Sequence, residues 1–379
     1  MVVTVGVEEE YLLLDADSGF PVSRWEEVRA AAARQPALTG GEVERELLQA
    51  QVEIATPVCG SLDEIGGHLR RLRGALRIAA AETGCRIAAC GAAPFLGPVP
   101  VTDKPRYRTM LDDAARLVDE QMINGMHVHV AVPDRRGAIA ALNRVRPWLP
   151  VLVATAANSP YWDGAGTGFA SWRTVVFGRW PVSGPPPAFD GPQDYDRRTA
   201  ELLRTGVIRD RAQIYWQARP SERYPTLEIR ALDVQLLPED AVTLAGIVRA
   251  LVTTALNEAE SGGTAPPAPA ELLTAANWRA ARHGLNGDLV DPVAGGLRPA
   301  AEVVASLMEH IEPALKRTDD LDRVSDGVDR FLRDGTGEQR QRRAVEAGGT
   351  EALLDLLGAG GGGLALPPGA GAGAESGLG

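Results

Sequence analysis

Four short stretches of this chain place apolar residues on one face of a strand and ionisable residues on the other. Side chains alternate across a strand, so residues two apart share a face. In Thr4–Tyr11, Glu8 and Glu10 fall on one face and Val5, Val7 and Tyr11 on the other. Gln51 and Glu53 oppose Val52 and Ile54. His127 and His129 oppose Met126, Val128 and Val130, while Glu228 and Arg230 oppose Leu227 and Ile229. A single sheet accounts for all four, with its apolar face on helices and its ionisable face on a cavity. Glu9 breaks the rule, because alternation puts it with Val5 and Val7. A bulge in the strand or an edge position would accommodate it.

Taken one at a time, each stretch also fits a half-exposed strand with a solvated polar face. Solvated faces, however, usually carry Thr, Ser and Lys of mixed sign. These four carry Glu, Gln, His and a single Arg. Clustered carboxylates raise one another's pKa unless cations lie among them. Oxygen donors select hard ions, which favours Mg²⁺ or Mn²⁺, and Mn²⁺ tolerates an imidazole such as His127 as a minor ligand.

Between these strands the chain reads as mixed helix and strand without a steady βαβ rhythm. That pattern predicts an α+β fold with a mainly antiparallel sheet. Ser61-Leu62-Asp63-Glu64 is a capping box opening a helix to about Glu82, with Leu62, Ile65, Leu69, Leu72 and Leu76 at helical spacing. Helices are predicted over 24–34, 106–120, 138–157 and 240–259, with two or three more between 270 and 357. Strands are predicted over 1–14, 48–57, 86–92, 125–132 and 226–232. The span 159–195 is expected to be a long structured loop carrying Trp162, Trp172 and Trp180, and loops of that length tend to be functional. Residues 1–358 are expected to form one catalytic domain. The tail 359–379 is almost all Gly, Ala and Pro and is expected to be disordered.

Charge and composition exclude several functions. The formal net charge is −11 and the pI about 5.1, which argues against sequence-independent nucleic-acid binding and against anionic membrane surfaces. Aromatics make up only 5% of the chain, so the core must rest on Leu, Val, Ile and Ala. Lys104 and Lys316 are its only lysines. There is no Walker lysine, scarcely a candidate for Schiff-base chemistry, and little for an ATP-grasp site to hold a nucleotide with. Cys59, Cys85 and Cys90 make neither a disulfide framework nor a zinc site and read as core thiols of a reducing compartment. The longest apolar run, Leu149–Ala157, contains Pro150 and is far shorter than the ~20 residues of a membrane span. A cytoplasmic protein without a secretory leader is expected.

Other residues carry weaker signals. Arg173, in Ser171-Trp172-Arg173, suits a substrate carboxylate or a phosphate, or else a stacked surface arginine. Arg219 is similar and weaker. Asn277 is expected to cap a helix beginning at Asn277-Trp278-Arg279. Gly164–Gly168 looks like a nucleotide loop without the strand–turn–helix setting one needs. His68, His283 and His310 fall on or near helices.

The segments GVEEEYLLLD (6–15), QVEIATPV (51–58), GMHVHV (125–130), SWR (171–173), YPTLEIRALD (224–233), NWRAARHG (277–284) and DGTGEQRQR (334–342) together resemble the glutamate–cysteine ligase type 2 family, the carboxylate–amine ligases. The resemblance implies a glutamine-synthetase-like fold: a curved, mainly antiparallel sheet forming a funnel for ATP and metal, with helices on its outer face. It implies an ATP-dependent ligase that joins a carboxylate and an amine through an acyl phosphate, with glutamate–cysteine ligase activity, acting on small molecules and compatible with a homo-oligomer. On this likeness Glu8, Glu10, Glu53, His127 and Glu228 are metal ligands or their neighbours, Arg230 and Glu228 are catalytic, and Arg173 and Arg230 meet the nucleotide. Two other functions fit the residues: a metal-dependent hydrolase built on His127-x-His129, and a relative that binds ATP and metal without catalysis.

Overall fold

The computed structural model describes residues 3–358, so the expected tail, 359–379, lies outside the described residues. Strand β1 (Val5–Asp15) leads to helix α1 (Trp25–Ala32), edge strand β2 (Val43–Arg45) and β3 (Gln51–Ala55). Helix α2 (Leu62–Ala81) follows, and the Ser61 side chain accepts from the Glu64 backbone N–H as the capping box predicts. The reciprocal half differs, because the Glu64 carboxylate reaches Gly60 N at 2.6 Å. Strand β4 (Cys85–Ala88) precedes α3 (Pro105–Ala114) and α4 (Arg116–Asp119). The expected single helix over 106–120 is divided at Ala115, which has φ +46°.

Strand β5 (Gly125–Ala131) continues into α5 (Arg135–Val145) and α6 (Leu149–Thr155), joined by a 3₁₀ turn over Arg146–Trp148. The predicted helix over 138–157 is therefore broken. Pro147 and Pro150 each remove a backbone donor and each starts a new helical segment. The expected loop, 159–195, holds β6 (Tyr161–Trp162), β7 (Ala165–Gly166), α7 (Trp172–Phe177), β8 (Ser183–Gly184) and the start of α8 (Pro192–Arg204), and β9 (Tyr215–Trp216) follows it. Then come β10 (Ala218–Pro220), β11 (Thr226–Asp233) and α9 (Pro238–Glu260). The last part holds α10 (Ala270–His283), the hairpin β12 (Asp288–Val290) and β13 (Leu297–Pro299), α11 (Ala300–Arg317), α12 (Leu321–Asp334) and α13 (Gly337–Gly358). Four helices thus stand where two or three were expected.

Seven strands form one sheet in the order β10-β11-β5-β1-β3-β2, with β4 also pairing with β1, and every pairing is antiparallel. Its apolar face carries Val5, Val7, Tyr11, Val52, Ile54, Met126, Val128, Val130, Leu227 and Ile229, all buried in one core. Helices α2, α5, α6 and α9 lie against that core. Each such aliphatic side chain contributes about 1.5–3 kcal/mol on burial, so the alternation fixes which way the sheet faces. Helix α9 is buried nearly all round, because it packs against the sheet on one side and α5, α11 and α12 on others.

Glu9 is neither bulged nor at an edge. The register through Glu8, Glu9 and Glu10 is continuous, and Glu9 is fully buried on the apolar face. There Arg73 of α2 donates to it through Nε at 2.9 Å and Nη2 at 2.5 Å, and Tyr11 Oη donates at 2.5 Å. Among the described residues, no helix is long and apolar enough to cross a membrane.

Candidate active site

The opposite face of the sheet lines a cleft of about 480 Å³. Strand register sets the order of its side chains. Glu10 lies across from Glu53, Glu8 from His127, and Glu228 from both His129 and Arg219. All the residues expected to form a site, namely Glu8, Glu10, Glu53, His127, Glu228, Arg230 and Arg173, line this one cleft. So do His129, which the ligase resemblance left without a role, and Glu46, which the sequence did not single out.

The carboxylates fall into two groups whose donor atoms lie within 4.8 Å of one another: Glu8, His129 and Glu228, and Glu10, Glu46 and Glu53. In the first group His129 Nε2 is 3.3 Å from Glu8 Oε1 and 3.9 Å from Glu228 Oε1. His129 Nδ1 lies 3.0 Å from Thr226 Oγ1. His127 stands between the groups, with Nδ1 3.2 Å from Glu8 Oε2 and Nε2 3.9 Å from Glu10 Oε1. Arg219 Nε donates to Glu228 Oε2 at 2.9 Å, and Arg230 donates to Glu228 Oε1.

The two groups differ electrostatically. Burial alone would raise Glu8, but hydrogen bonds and charge from His127 and His129 outweigh it and hold the carboxyl well below its usual range. Glu228 is also held low against its burial, by Arg230 and Arg219. In the second group burial dominates. It pushes Glu10 up to about 7, with Glu46 adding repulsion, and it raises Glu46 as well. Burial also pushes Glu53 well above its usual value, reinforced by Glu8, Glu46 and Glu10. Burial and Arg230 lower His127 to about 4, so it is neutral at neutral pH and its ring can act as a ligand.

These donors fit divalent cations. His129 Nε2 is buried beside Glu8 and Glu228, and with a cation in place of the proton it shares with Glu8, a ring protonated on Nδ1 toward Thr226 would offer Nε2 as a ligand. Mutually repelling buried carboxylates are the arrangement a hard cation relieves.

Arg173 is buried at the start of α7, with Nη2 donating to the Arg230 carbonyl at 3.3 Å and its guanidinium 5.2 Å from the Phe177 ring centroid. Other expectations change. Asn277 caps nothing: it lies inside α10, and its Oδ1 accepts from Gln217 Nε2 at 2.9 Å. The glycine run 164–168 belongs to the exposed β6–β7 hairpin and its end, away from the cleft. His68, His283 and His310 are also absent from the cleft, so the further imidazoles that a hydrolase site would need are missing from it.

An antiparallel funnel with an acidic, arginine-flanked inner face is the architecture of an ATP-dependent carboxylate–amine ligase, and that is the class this protein falls in. The chain belongs to glutamate–cysteine ligase family 2, whose family model matches residues 4–356. It is 43% identical over 345 residues to a Nocardia farcinica protein provisionally named glutamate–cysteine ligase 2-1, covering 91% of this chain and 89% of that one. A Rhodopirellula baltica protein provisionally named glutamate–cysteine ligase 2 is 40% identical over 351 residues, covering 91% and 94%. Among solved structures, the glutamate–cysteine ligase of Francisella tularensis in complex with AMP shares the fold at a TM-score of 0.72 and 14% identity, covering 94% of this chain and 88% of that one. The complex of the ubiquitin-like protein Pup with its ligase PafA gives 0.53 at 12% identity, covering 94% and 72%.

Proposed function

We propose that the protein activates the carboxylate of an amino acid with ATP and transfers the acyl group to an amine, with L-glutamate and L-cysteine as substrates and γ-glutamylcysteine, ADP and phosphate as products. The observation that carries this reading is the pair of carboxylate groups set beside Arg219, Arg230 and Arg173 in one cleft. Glu8, Glu10, Glu53, His127 and Glu228, together with Glu46 and His129, would hold Mg²⁺ or Mn²⁺. Bound there, the cations would neutralise charge on the β- and γ-phosphates of ATP.

The chain's own groups do the rest. Arg230 is anchored to Glu228 and donates to the γ-phosphoryl oxygens as the phosphoryl group passes to the substrate carboxylate. Arg173 donates to phosphate oxygens as well. A guanidinium suits both tasks, because its planar fork can donate two parallel hydrogen bonds to a phosphoryl group. The amine then attacks the carbonyl carbon of the acyl phosphate, and phosphate leaves. Residues 1–358 would act as one catalytic unit in the cytoplasm.

The test is a screen of carboxylate and amine pairs with MgATP, following ADP release and identifying the amide by mass. ADP release that requires both L-glutamate and L-cysteine, with γ-glutamylcysteine formed, supports the reading. Amide formation with a different pair keeps the ligase and replaces the substrates. ADP release that no carboxylate stimulates contradicts it.

A further inference from the structure

Asp233 closes the strand that carries Glu228 and Arg230, yet its own side chain is buried away from the cleft. Its Oδ2 accepts from Asn158 N at 2.8 Å and from Ser159 Oγ at 2.7 Å, and its Oδ1 accepts from Ser171 Oγ at 2.9 Å. Space for the carboxylate depends on a glycine, since a Cβ at Gly91 would lie 2.6 Å from the Asp233 Cγ.

An ionised carboxylate can only accept, so both serine hydroxyls must point their protons at it. Their lone pairs are then left for the chain leading into α7. Ser159 Oγ accepts from Arg173 N at 3.0 Å, and Ser171 Oγ accepts from Thr174 N at 3.3 Å. The backbone of Arg173 thus hangs from the end of β11 through one hydroxyl, and the first turn of its helix through another. From there the Arg173 side chain returns to β11, where it meets the Arg230 carbonyl. Its Nε is buried without a hydrogen-bond partner.

We infer that Asp233 is a positioning residue of the ligase: it orients the Ser159 and Ser171 hydroxyls so that α7 presents the Arg173 guanidinium to the phosphate oxygens of ATP. The inference rests on the reading of Arg173 as a phosphate-binding residue, and the test separates the two.

The dissociation constant of ATP is measured by calorimetry with Mg²⁺ on the full chain. Asp233→Asn keeps the shape but sets an NH₂ donor against one hydroxyl, forcing it to turn. Ser159→Ala removes the acceptor for Arg173 N together with one donor to Asp233, and decides the matter should circular dichroism show Asp233→Asn misfolded. Both are expected to weaken ATP about tenfold, the upper range for one hydrogen bond. Arg173→Ala is expected to weaken it at least as much, and adding Ser159→Ala to Arg173→Ala to cost under twofold more, because the two changes act through one group. ATP binding within twofold of wild type in Asp233→Asn and Ser159→Ala, with Arg173→Ala impaired, overturns the inference and leaves the Arg173 reading standing. Fully additive losses in the double variant also overturn it. Normal binding by Arg173→Ala removes the Arg173 reading, and the inference with it.

Discussion

Glu9 and Arg73 form a two-pronged ion pair, at 2.9 and 2.5 Å, on the side of the sheet facing away from the cleft. Both side chains are essentially inaccessible, at 0% and 1% exposure. The Arg73 guanidinium also donates to the carbonyls of Leu236 and Gln235, each at 3.1 Å, which lie just beyond the strand that carries Glu228 and Arg230. The pair therefore ties β1 and α2 to the segment following β11. In Glu8-Glu9-Glu10, neighbouring carboxylates have opposite tasks, two facing the cleft and one bracing the fold.

Glu9→Gln should accordingly destabilise the protein by ~3–5 kcal/mol, because it leaves a buried guanidinium without its counter-charge. Urea denaturation measures this. A loss under ~1 kcal/mol would mean that Arg73 finds compensation elsewhere.

Glu53 should behave in the opposite way. Its carboxylate is crowded by Glu8, Glu46 and Glu10. In metal-free protein at pH 8, Glu53→Gln relieves that repulsion and should raise the melting temperature, by about 1–3 °C. The same change should remove most ligase activity. Added Mg²⁺ should stabilise the wild type, by ~2.7 kcal/mol at a hundred times its dissociation constant, and the variant much less. Equal Mg²⁺ stabilisation of both proteins would remove Glu53 from the ligand set.

Gly125 makes room for Arg173. A Cβ at this position would lie 2.3 Å from Arg173 Nη2, and the Gly125 N–H donates to Glu10 at 2.6 Å. Gly125→Ala should displace the guanidinium and reduce kcat/KM at least tenfold, the cost of losing one charge-assisted hydrogen bond. Far-ultraviolet circular dichroism should be unchanged. Steady-state kinetics near the wild-type value would show that Arg173 works equally well from a shifted position.

Arg230→Lys separates catalysis from simple pairing. Lysine keeps the charge beside Glu228 but cannot donate in parallel to a planar phosphoryl group. If Arg230 acts mainly in the transition state, kcat should fall roughly 10²-fold with little change in KM for ATP. A loss under about threefold would leave Arg230 as a structural partner of Glu228 alone.

Much of the sheet and its cleft could be read in advance because strand alternation is a local signal. Val5, Val7, Val52, Ile54, Val128 and Ile229 mark the core side, and this places Glu8, Glu10, Glu53, His127, Glu228 and Arg230 together on the other. Glu46 gave no such signal, since it sits in the connection between β2 and β3 and enters the cleft only through the path of that loop. Glu9 was unreadable for a related reason: its partner is 64 residues away on α2. Asn277 looked like a cap because polar residues often begin helices, but its partner, Gln217, comes from a distant strand connection. The breaks at Pro147 and Pro150 are local signals, whereas the Ala-rich pattern around them has the spacing of one unbroken helix.

Transfer of oxygen from substrate to phosphate tests the central claim most directly. The protein would be incubated with MgATP, L-cysteine and L-glutamate carrying ¹⁸O in its side-chain carboxylate, and the released phosphate examined by mass spectrometry. Activation through an acyl phosphate predicts one ¹⁸O atom in each phosphate formed alongside γ-glutamylcysteine, because the carboxylate oxygen that attacks the γ-phosphorus leaves with it. Amide product accompanied by phosphate free of ¹⁸O would contradict the account.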